Sequence, residues 1–179
     1  MNSSLLPVHV LLRLVLESES VSKALNRLQE YQGCATSAHM LVADPMGSCG
    51  VEISPFGMKI IEEDEDRVVV HTNHFILKHP VAEPTWLVDS QHRFQRIHEL
   101  CTEAIKENRE GSTVDIDRVR TLFRDATNSP SSICRQEGPP HGLDSLFNIV
   151  MQLNEGSAKA EVVFSIGSKD EEPIVQLPW

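Results

Sequence analysis

Polar side chains that could do chemistry follow an apolar run in the middle of the chain. The valines at residues 68–70 predict a buried strand, and His71, Asn73, His74 and His79 come after it. A sheet holds the polar groups at the end of a strand rigidly, which favours chemistry there. An asparagine amide can donate a hydrogen bond to the charge that develops on a carbonyl oxygen, so Asn73 is a candidate oxyanion donor. A turn-forming asparagine after a strand would give the same sequence pattern.

The same histidines, together with His39, raise the alternative of a metal site. His71 and His74 are an odd number of residues apart, so on a strand they would point to opposite faces. Cysteine and carboxylate side chains do not occur nearby at a recognised ligand spacing. The sequence therefore predicts no metal.

A cysteine and a histidine could instead form the site of an amidase. Cys34 follows Gly33 and could act as a thiol nucleophile with a histidine as its base. Cys134 is no stronger a candidate. The 4 cysteines include no CxxC pair, so reduced and mostly buried thiols are the simpler interpretation for all of them.

The charge and the N-terminal residues exclude several classes of partner. A net charge of −10 argues against nucleic acid, which is bound by a basic face, and against an anionic membrane surface. The apolar run at residues 5–16 is interrupted by Arg13, is too short to span a bilayer and lacks the features of a signal peptide. We therefore expect an intracellular protein without nucleic-acid or membrane partners.

Helices and hairpins alternate along the chain and would position these side chains. Turn signals at residues 44–47 and 154–157, and an acidic run at 62–66, are expected to join strands into hairpins. The 179 residues therefore predict a single α+β domain with mainly antiparallel strands. The predicted helices are 8–17, 21–31, 90–108 and 117–124, and the predicted strands are 38–43, 49–54, 58–61, 68–72, 145–153, 160–166 and 172–179.

Several short motifs, taken in order, resemble the fungal acyl-coenzyme A:6-aminopenicillanic-acid (isopenicillin N) acyltransferases. Each motif is short, and their common order over nearly the whole chain makes the resemblance specific. The motifs are P-x-H-x-x-L-R-x-x-L-E-S at 7–18, A-x-S-A-H at 35–39, G-x-E-x-S-P at 50–55, V-V-V-H-T-N-H at 68–74, L-K-H at 77–79, R-x-x-R at 93–96, S-I-C-R at 132–135 and L-F-N-I at 146–149.

The resemblance implies a layered αββα fold of the N-terminal-nucleophile hydrolases. In that family a precursor cuts itself before a cysteine, which then attacks an amide or thioester with its own α-amine as base. The implied activity is acyl exchange between a small peptide-derived or secondary-metabolite substrate and an acyl-CoA co-substrate, without a cofactor. Asn73 matches the asparagine that supports the oxyanion, and Ser54 matches a serine implicated in processing and activity. His141 stands near the position of the substrate-binding arginine.

The resemblance also implies that this chain is the C-terminal, incomplete part of that fold. Gly33-Cys34 imitates the cleavage dipeptide but aligns with a position after the second helix that is not the nucleophile. The nucleophile is then expected upstream of Met1, in a longer product or a separate N-terminal chain. The alternative is a truncated, non-catalytic binding or vestigial relative, whose exposed strand edges predict self-association. The C-terminus lacks a peroxisomal tripeptide, and a cytoplasmic or peroxisomal location is expected.

Overall fold

The computed structural model describes residues 5–83, 88–108, 114–136, 143–164 and 174–177. The chain divides into two compact units, Met1–Thr85 and Trp86–Trp179, which are described separately. The described residues contain four helices and two antiparallel sheets of three strands each. This confirms the predicted α+β class, while the assignment to a single domain stays a prediction. Within the same residues, no helix is long and apolar enough to cross a membrane.

The first unit begins with two short helices and continues into a three-stranded meander. The elements are α1 (Val8–Leu16), α2 (Val21–Gln29), β1 (Ala38–Asp44), β2 (Gly47–Ser54) and β3 (Gly57–Ile61). Strand β2 is central and pairs with β1 on one side and β3 on the other. The hairpin between β1 and β2 is as predicted.

Polar side chains fix where these elements begin and turn. Ser20 accepts a hydrogen bond from the Lys23 N–H at 3.2 Å and so caps α2. The Asp44 carboxylate accepts the Val21 N–H of α2 and the Met46 N–H of the β1–β2 turn, both at 2.8 Å. One side chain therefore ties the second helix to the first hairpin.

The core of the first unit lies against one side of the central strand. Side chains alternate along a strand, so Cys49, Val51 and Ile53 point to one face of β2, and Glu52 and Ser54 point to the other. Both sets are buried, which makes β2 a strand covered on both faces. The buried apolar cluster consists of Leu11, Ala24, Leu28, Cys34, Met40, Val42, Cys49, Val51 and Ile53.

The predicted strand at residues 68–72 is wrong. Strand β3 pairs with β2 through a tight turn, and the described residues 62–83 contain no strand. A carboxylate binds the backbone at the start of the valine run. Asp64 accepts the N–H groups of Asp66 and Val68 at 3.0 and 2.9 Å. High strand propensity alone does not make a strand of residues that no neighbouring strand pairs with.

The second unit combines two helices with a second meander. Its elements are α3 (Val88–Glu107), α4 (Ile116–Leu122), β4 (Phe147–Asn154), β5 (Ser157–Phe164) and β6 (Ile174–Leu177). Strand β5 is central. Within the described residues the predicted helices and strands of this half are present, and helix α4 packs against β4. Residues 165–166, 172–173 and 178–179 of the predicted strands lie outside the described residues.

One face of the second sheet is apolar and exposed. The opposite face of β4 carries Asn148 and Val150, which are buried. Because side chains alternate, every second residue of β4 points away from them. The exposed apolar residues of this face are Phe147, Ile149, Met151, Leu153, Phe164, Val175 and Leu177.

Candidate functional site

A buried carboxylate lies at the centre of the candidate site in the first unit. Glu52 sits on the face of β2 that points away from the apolar core, and it is 0% exposed. An ionised carboxylate is stable in such a place only when donors surround it.

Donors from residues 71–79 surround the two oxygens of Glu52. Oε1 accepts the Ile76 N–H and faces His71 Nε2 at 2.9 Å, and Oε2 accepts the Leu77 N–H at 3.0 Å. Burial alone would raise the pKa of Glu52. The hydrogen bonds from Ile76, His71 and Leu77 outweigh burial, so the pKa lies below its ordinary value.

His71 joins the carboxylate to a second histidine. Its Nδ1 faces the carbonyl oxygen of Thr72, while its ring stacks on the ring of His39 with centroids 3.5 Å apart and planes inclined by 1°. Burial, and after it the charge of His71, lowers the pKa of His39 to about 4, although Glu52 acts in the opposite direction. His39 is therefore neutral near neutral pH.

Ser54 lies two residues from Glu52 on the same face of β2 and is also 0% exposed. Its Oγ accepts the Phe56 N–H at 3.2 Å and lies 3.4 Å from His79 Nδ1. The other ring nitrogen of His79 lies 3.2 Å from Glu52 Oε2, without the angle of a hydrogen bond. The ring of His79 thus stands between the carboxylate and the serine hydroxyl.

Two glycines allow close packing around this cluster. A Cβ on Gly50 would lie 2.9 Å from His39 Nε2, so the histidine ring occupies the space of the missing side chain. A Cβ on Gly33 would lie 2.5 Å from the carbonyl oxygen of Ser54, and the next residue, Cys34, donates its N–H to that oxygen at 3.1 Å. A larger residue at either position would push the chain away from the site.

Asn73 lies at a bend in the middle of residues 71–77 and is exposed. It is therefore not at the end of a strand, as the sequence had indicated. The chain is held on β2 before it by His71 and after it by Ile76 and Leu77. Asn73 is thus an exposed residue on a loop that is anchored at both ends, and its oxyanion role stays a prediction.

The histidines fall into two groups. His39, His71 and His79 lie around Glu52, whereas His74 Nδ1 lies 3.2 Å from Thr72 Oγ1. In the part of the chain that the structure describes, no group of three or more histidine, cysteine or acidic side chains is arranged to hold a metal ion. His141 lies outside the described residues, so its substrate-binding role stays a prediction.

All four cysteines are described, and all are free thiols, as predicted. Cys34, Cys49 and Cys134 are buried, and burial raises the pKa of Cys49. Cys101 is half-buried and packs on the small apolar cluster beneath helix α3. A nucleophilic thiol needs access to the substrate, and the burial of Cys34, Cys49 and Cys134 denies them that access.

Glu52 is the residue that sequence reasoning missed. It entered that reasoning only as part of the G-x-E-x-S-P motif. A sharper signal was available, because Glu52 stands between Val51 and Ile53 in an otherwise apolar or small-residue strand. A glutamate in such a strand is seldom buried without partners, so it predicts a cluster of donors nearby.

Comparisons with known proteins assign the chain to a family. The model of the family described as acyl-coenzyme A:6-aminopenicillanic acid acyl-transferase matches residues 2–163. The chain is similar to the acyl-coenzyme A:6-aminopenicillanic-acid-acyltransferase 40 kDa form of Emericella nidulans, with 36% identity over 149 residues. The match covers 81% of this chain and 39% of that protein, so the chain spans about two fifths of its relative's length. The chain belongs to the acyl-coenzyme A:6-aminopenicillanic acid acyl-transferase family.

Proposed function

We propose that this chain forms part of an enzyme that moves an acyl group between an acyl-coenzyme A and the amine of a small substrate, and that can hydrolyse the resulting amide. Family membership and the name of the Emericella nidulans relative support the reaction class. The observation that supports the location of the site is the exposed position of Asn73, on a loop that the buried Glu52 anchors at both ends.

In this proposal the Asn73 amide donates a hydrogen bond to the carbonyl oxygen of the acyl group during attack. A donor that is already in place when negative charge develops needs no reorganisation, and its removal from comparable sites costs about 10²–10³-fold in kcat. Ser54 is buried, so its proposed contribution is indirect. Its hydroxyl holds the β2–β3 turn through Phe56 and faces His79.

We propose that the nucleophilic cysteine is supplied from outside these 179 residues. The burial of Cys34, Cys49 and Cys134 supports this, as does the packing of Cys101 on an apolar cluster. About three fifths of the length of the Emericella nidulans protein has no counterpart in the match. That part of the protein is therefore the first place to look for the nucleophile.

The layering of the fold, the ligands and the biological role are proposals as well. Family membership and the two antiparallel sheets support the αββα layering of the N-terminal-nucleophile hydrolases. The proposed ligands are a small acyl acceptor and an acyl-CoA co-substrate, without a cofactor, nucleic acid or membrane. The fungal source of the relative supports a role in fungal secondary metabolism. The proposed location is the cytoplasm or the peroxisome.

A second candidate function is a relative that binds such substrates without turning them over. The burial of the thiols favours it, because an oxyanion donor without an attacking group does not break an amide. In that case the chain binds an acyl-CoA or an acyl-amide, and no product forms.

The experiment compares the purified chain with the chain co-expressed with the unmatched part of the Emericella nidulans protein. Acyl-CoA and 6-aminopenicillanic acid are the substrates, and free thiol release and product mass are measured. We expect turnover in the co-expressed sample and none in the chain alone. Binding without turnover in both samples would favour the second function.

Two cysteine variants test the proposed source of the nucleophile. We expect the co-expressed sample to keep its activity when Cys34 is replaced by alanine. Cys49→Ala is the matched control, because it removes another buried thiol from the same unit. Loss of activity in Cys34→Ala alone, with the fold intact, would overturn the external nucleophile.

A further inference from the structure

We propose that Glu52 is a positioning residue, whose buried carboxylate locks residues 71–77 onto strand β2 and so fixes the loop that carries Asn73. The catalytic consequence rests on the proposed role of Asn73. The anchoring itself does not, since it follows from the contacts of Glu52.

The first support is the number of donors on one side chain. Ile76 N–H and His71 Nε2 share Oε1, and Leu77 N–H binds Oε2. These partners lie 19 to 25 residues from Glu52 along the chain. A carboxylate is the side chain that can accept several hydrogen bonds on each of two oxygens, so a neutral amide cannot replace it.

The second support is the hydrogen bonding of His71. Its Nε2 faces the Glu52 carboxylate and its Nδ1 faces the carbonyl oxygen of Thr72, and both of these groups accept hydrogen bonds only. The contact of Nε2 with Glu52 therefore ties the start of the loop to β2, and the stacking of the His71 ring on His39, with centroids 3.5 Å apart, fixes the orientation of the ring.

The third support is the link to Ser54. His79 lies with one ring nitrogen 3.2 Å from Glu52 Oε2 and the other 3.4 Å from Ser54 Oγ. Side chains of Glu52, His79 and Ser54 are all at most 2% exposed. Glu52 therefore fixes the environment of both residues that the resemblance assigns to the family's chemistry.

Another glutamate of the same unit provides a matched control. Glu63 also accepts hydrogen bonds from a backbone N–H and from side chains, namely Ser48 N–H at 2.7 Å, Ser48 Oγ at 2.9 Å and Arg67 Nε at 3.2 Å. It anchors a different turn and does not contact residues 71–79 in any of these bonds. Glu63→Gln therefore removes a carboxylate anchor while leaving the loop of Asn73 in place.

The test measures amide hydrogen exchange by NMR in the wild type, Glu52→Gln and Glu63→Gln. In the wild type we expect slow exchange at Ile76 and Leu77, because both amides bind the buried carboxylate. Glu52→Gln should speed exchange at both amides by about 10–100-fold, because hydrogen bonds to a charged acceptor are lost. Glu63→Gln should leave both amides unchanged, and the amides of β2 report whether the fold is intact.

The exchange measurements can refute the proposed anchoring in two ways. If the Ile76 and Leu77 amides of the wild type exchange as fast as those of an unprotected peptide, the proposal is wrong. This measurement on the wild type tests the proposal even if Glu52→Gln fails to fold. Unchanged exchange in a folded Glu52→Gln protein also overturns it. His71→Gln adds a milder variant and should speed exchange at Ile76, which shares Oε1 with His71.

Activity gives a separate readout in the co-expressed enzyme. We expect Glu52→Gln to lower kcat by about 10-fold or more with a smaller change in KM. The reason is that a misplaced oxyanion donor stabilises the transition state less, whereas binding of the substrate depends on it less. If exchange changes while activity does not, Glu52 anchors the loop but Asn73 has another role. If the wild type is inactive, the proposed function fails and the anchoring is still decided by NMR.

Discussion

Acid should destabilise the first unit through His39. In the folded protein, burial and the charge of His71 lower the pKa of His39 from 6.5 to about 4. In the unfolded chain His39 has its ordinary pKa. Between about pH 6.5 and 4 the unfolded state therefore binds a proton that the folded state does not bind. Stability therefore falls as the pH drops from about 6.5 to about 4, and this group adds no further pH dependence outside that window.

The size of the effect follows from the two pKa values. Each unit of pKa is worth about 1.4 kcal/mol, so the interval sets an upper limit of about 3.5 kcal/mol. Because His39 is half-buried and the negative charge of Glu52 favours its protonation, we expect about 1–3 kcal/mol. The pKa of Glu52 is also lowered in the folded protein. The stability that Glu52 contributes is therefore lost only when the pH falls below its pKa in the unfolded chain, about 4.5, at the acid end of the window.

The assay is urea unfolding of the wild type and His39→Gln at a series of pH values between about 7 and 4. The wild type should lose stability more steeply than the variant, by up to about 1.4 kcal/mol per pH unit. His9→Gln, which removes an exposed imidazole from α1, is the matched control. The comparison uses slopes, so a general loss of stability in the variant does not affect it. Parallel slopes in the wild type and His39→Gln would refute the reasoning.

Two further predictions concern packing and association. Gly50→Ala should cost about 1–3 kcal/mol of unfolding free energy, because the new Cβ would meet His39 Nε2 at 2.9 Å. Gly47→Ala on the same strand, whose Cβ would make only an ordinary 3.5 Å contact, should cost much less in the same urea titration. The apolar face of β4 predicts concentration-dependent self-association, which Met151→Lys should reduce in light scattering after size exclusion. A wild type that stays monomeric at all concentrations would contradict the predicted self-association.

Local signals in the sequence predicted the parts of the fold that depend on neighbouring residues. Ser20 is of a residue type that favours helix N-termini and caps α2 just before the predicted helix at 21–31, and Pro45 lies in the predicted turn between β1 and β2. The helix predicted at 90–108, where apolar residues lie three and four positions apart, forms over Val88–Glu107 as α3. These features depend on contacts within a few residues, which a sequence displays directly.

The error at residues 68–72 has the opposite cause. The valines there have high strand propensity, but a strand needs a partner, and none of the described strands pairs with residues 68–72. The acidic run at 62–66 was read as the turn of a hairpin. The real turn lies between Ser54 and Gly57, where Gly57 adopts a φ of 131° that favours glycine.

The site was only half predicted for a similar reason. Asn73 and Ser54 could be named because they resemble known positions, but the residue that connects them could not. The partners of Glu52 are 19 to 25 residues away in sequence, and their convergence depends on how the loop crosses β2. A burial argument could have identified Glu52 as needing donors, although it could not have said which ones.

The central claim is that Asn73 supports the oxyanion of an acyl transfer, and kcat of the Asn73→Ala variant in the co-expressed enzyme tests it most directly. Asn26→Ala, which removes an exposed asparagine from α2, is the matched control. The account predicts that Asn73→Ala lowers kcat by about 10²–10³-fold while amide exchange at Ile76 and Leu77 stays slow, and that Asn26→Ala has no effect. An Asn73→Ala enzyme with the kcat of the wild type would contradict it.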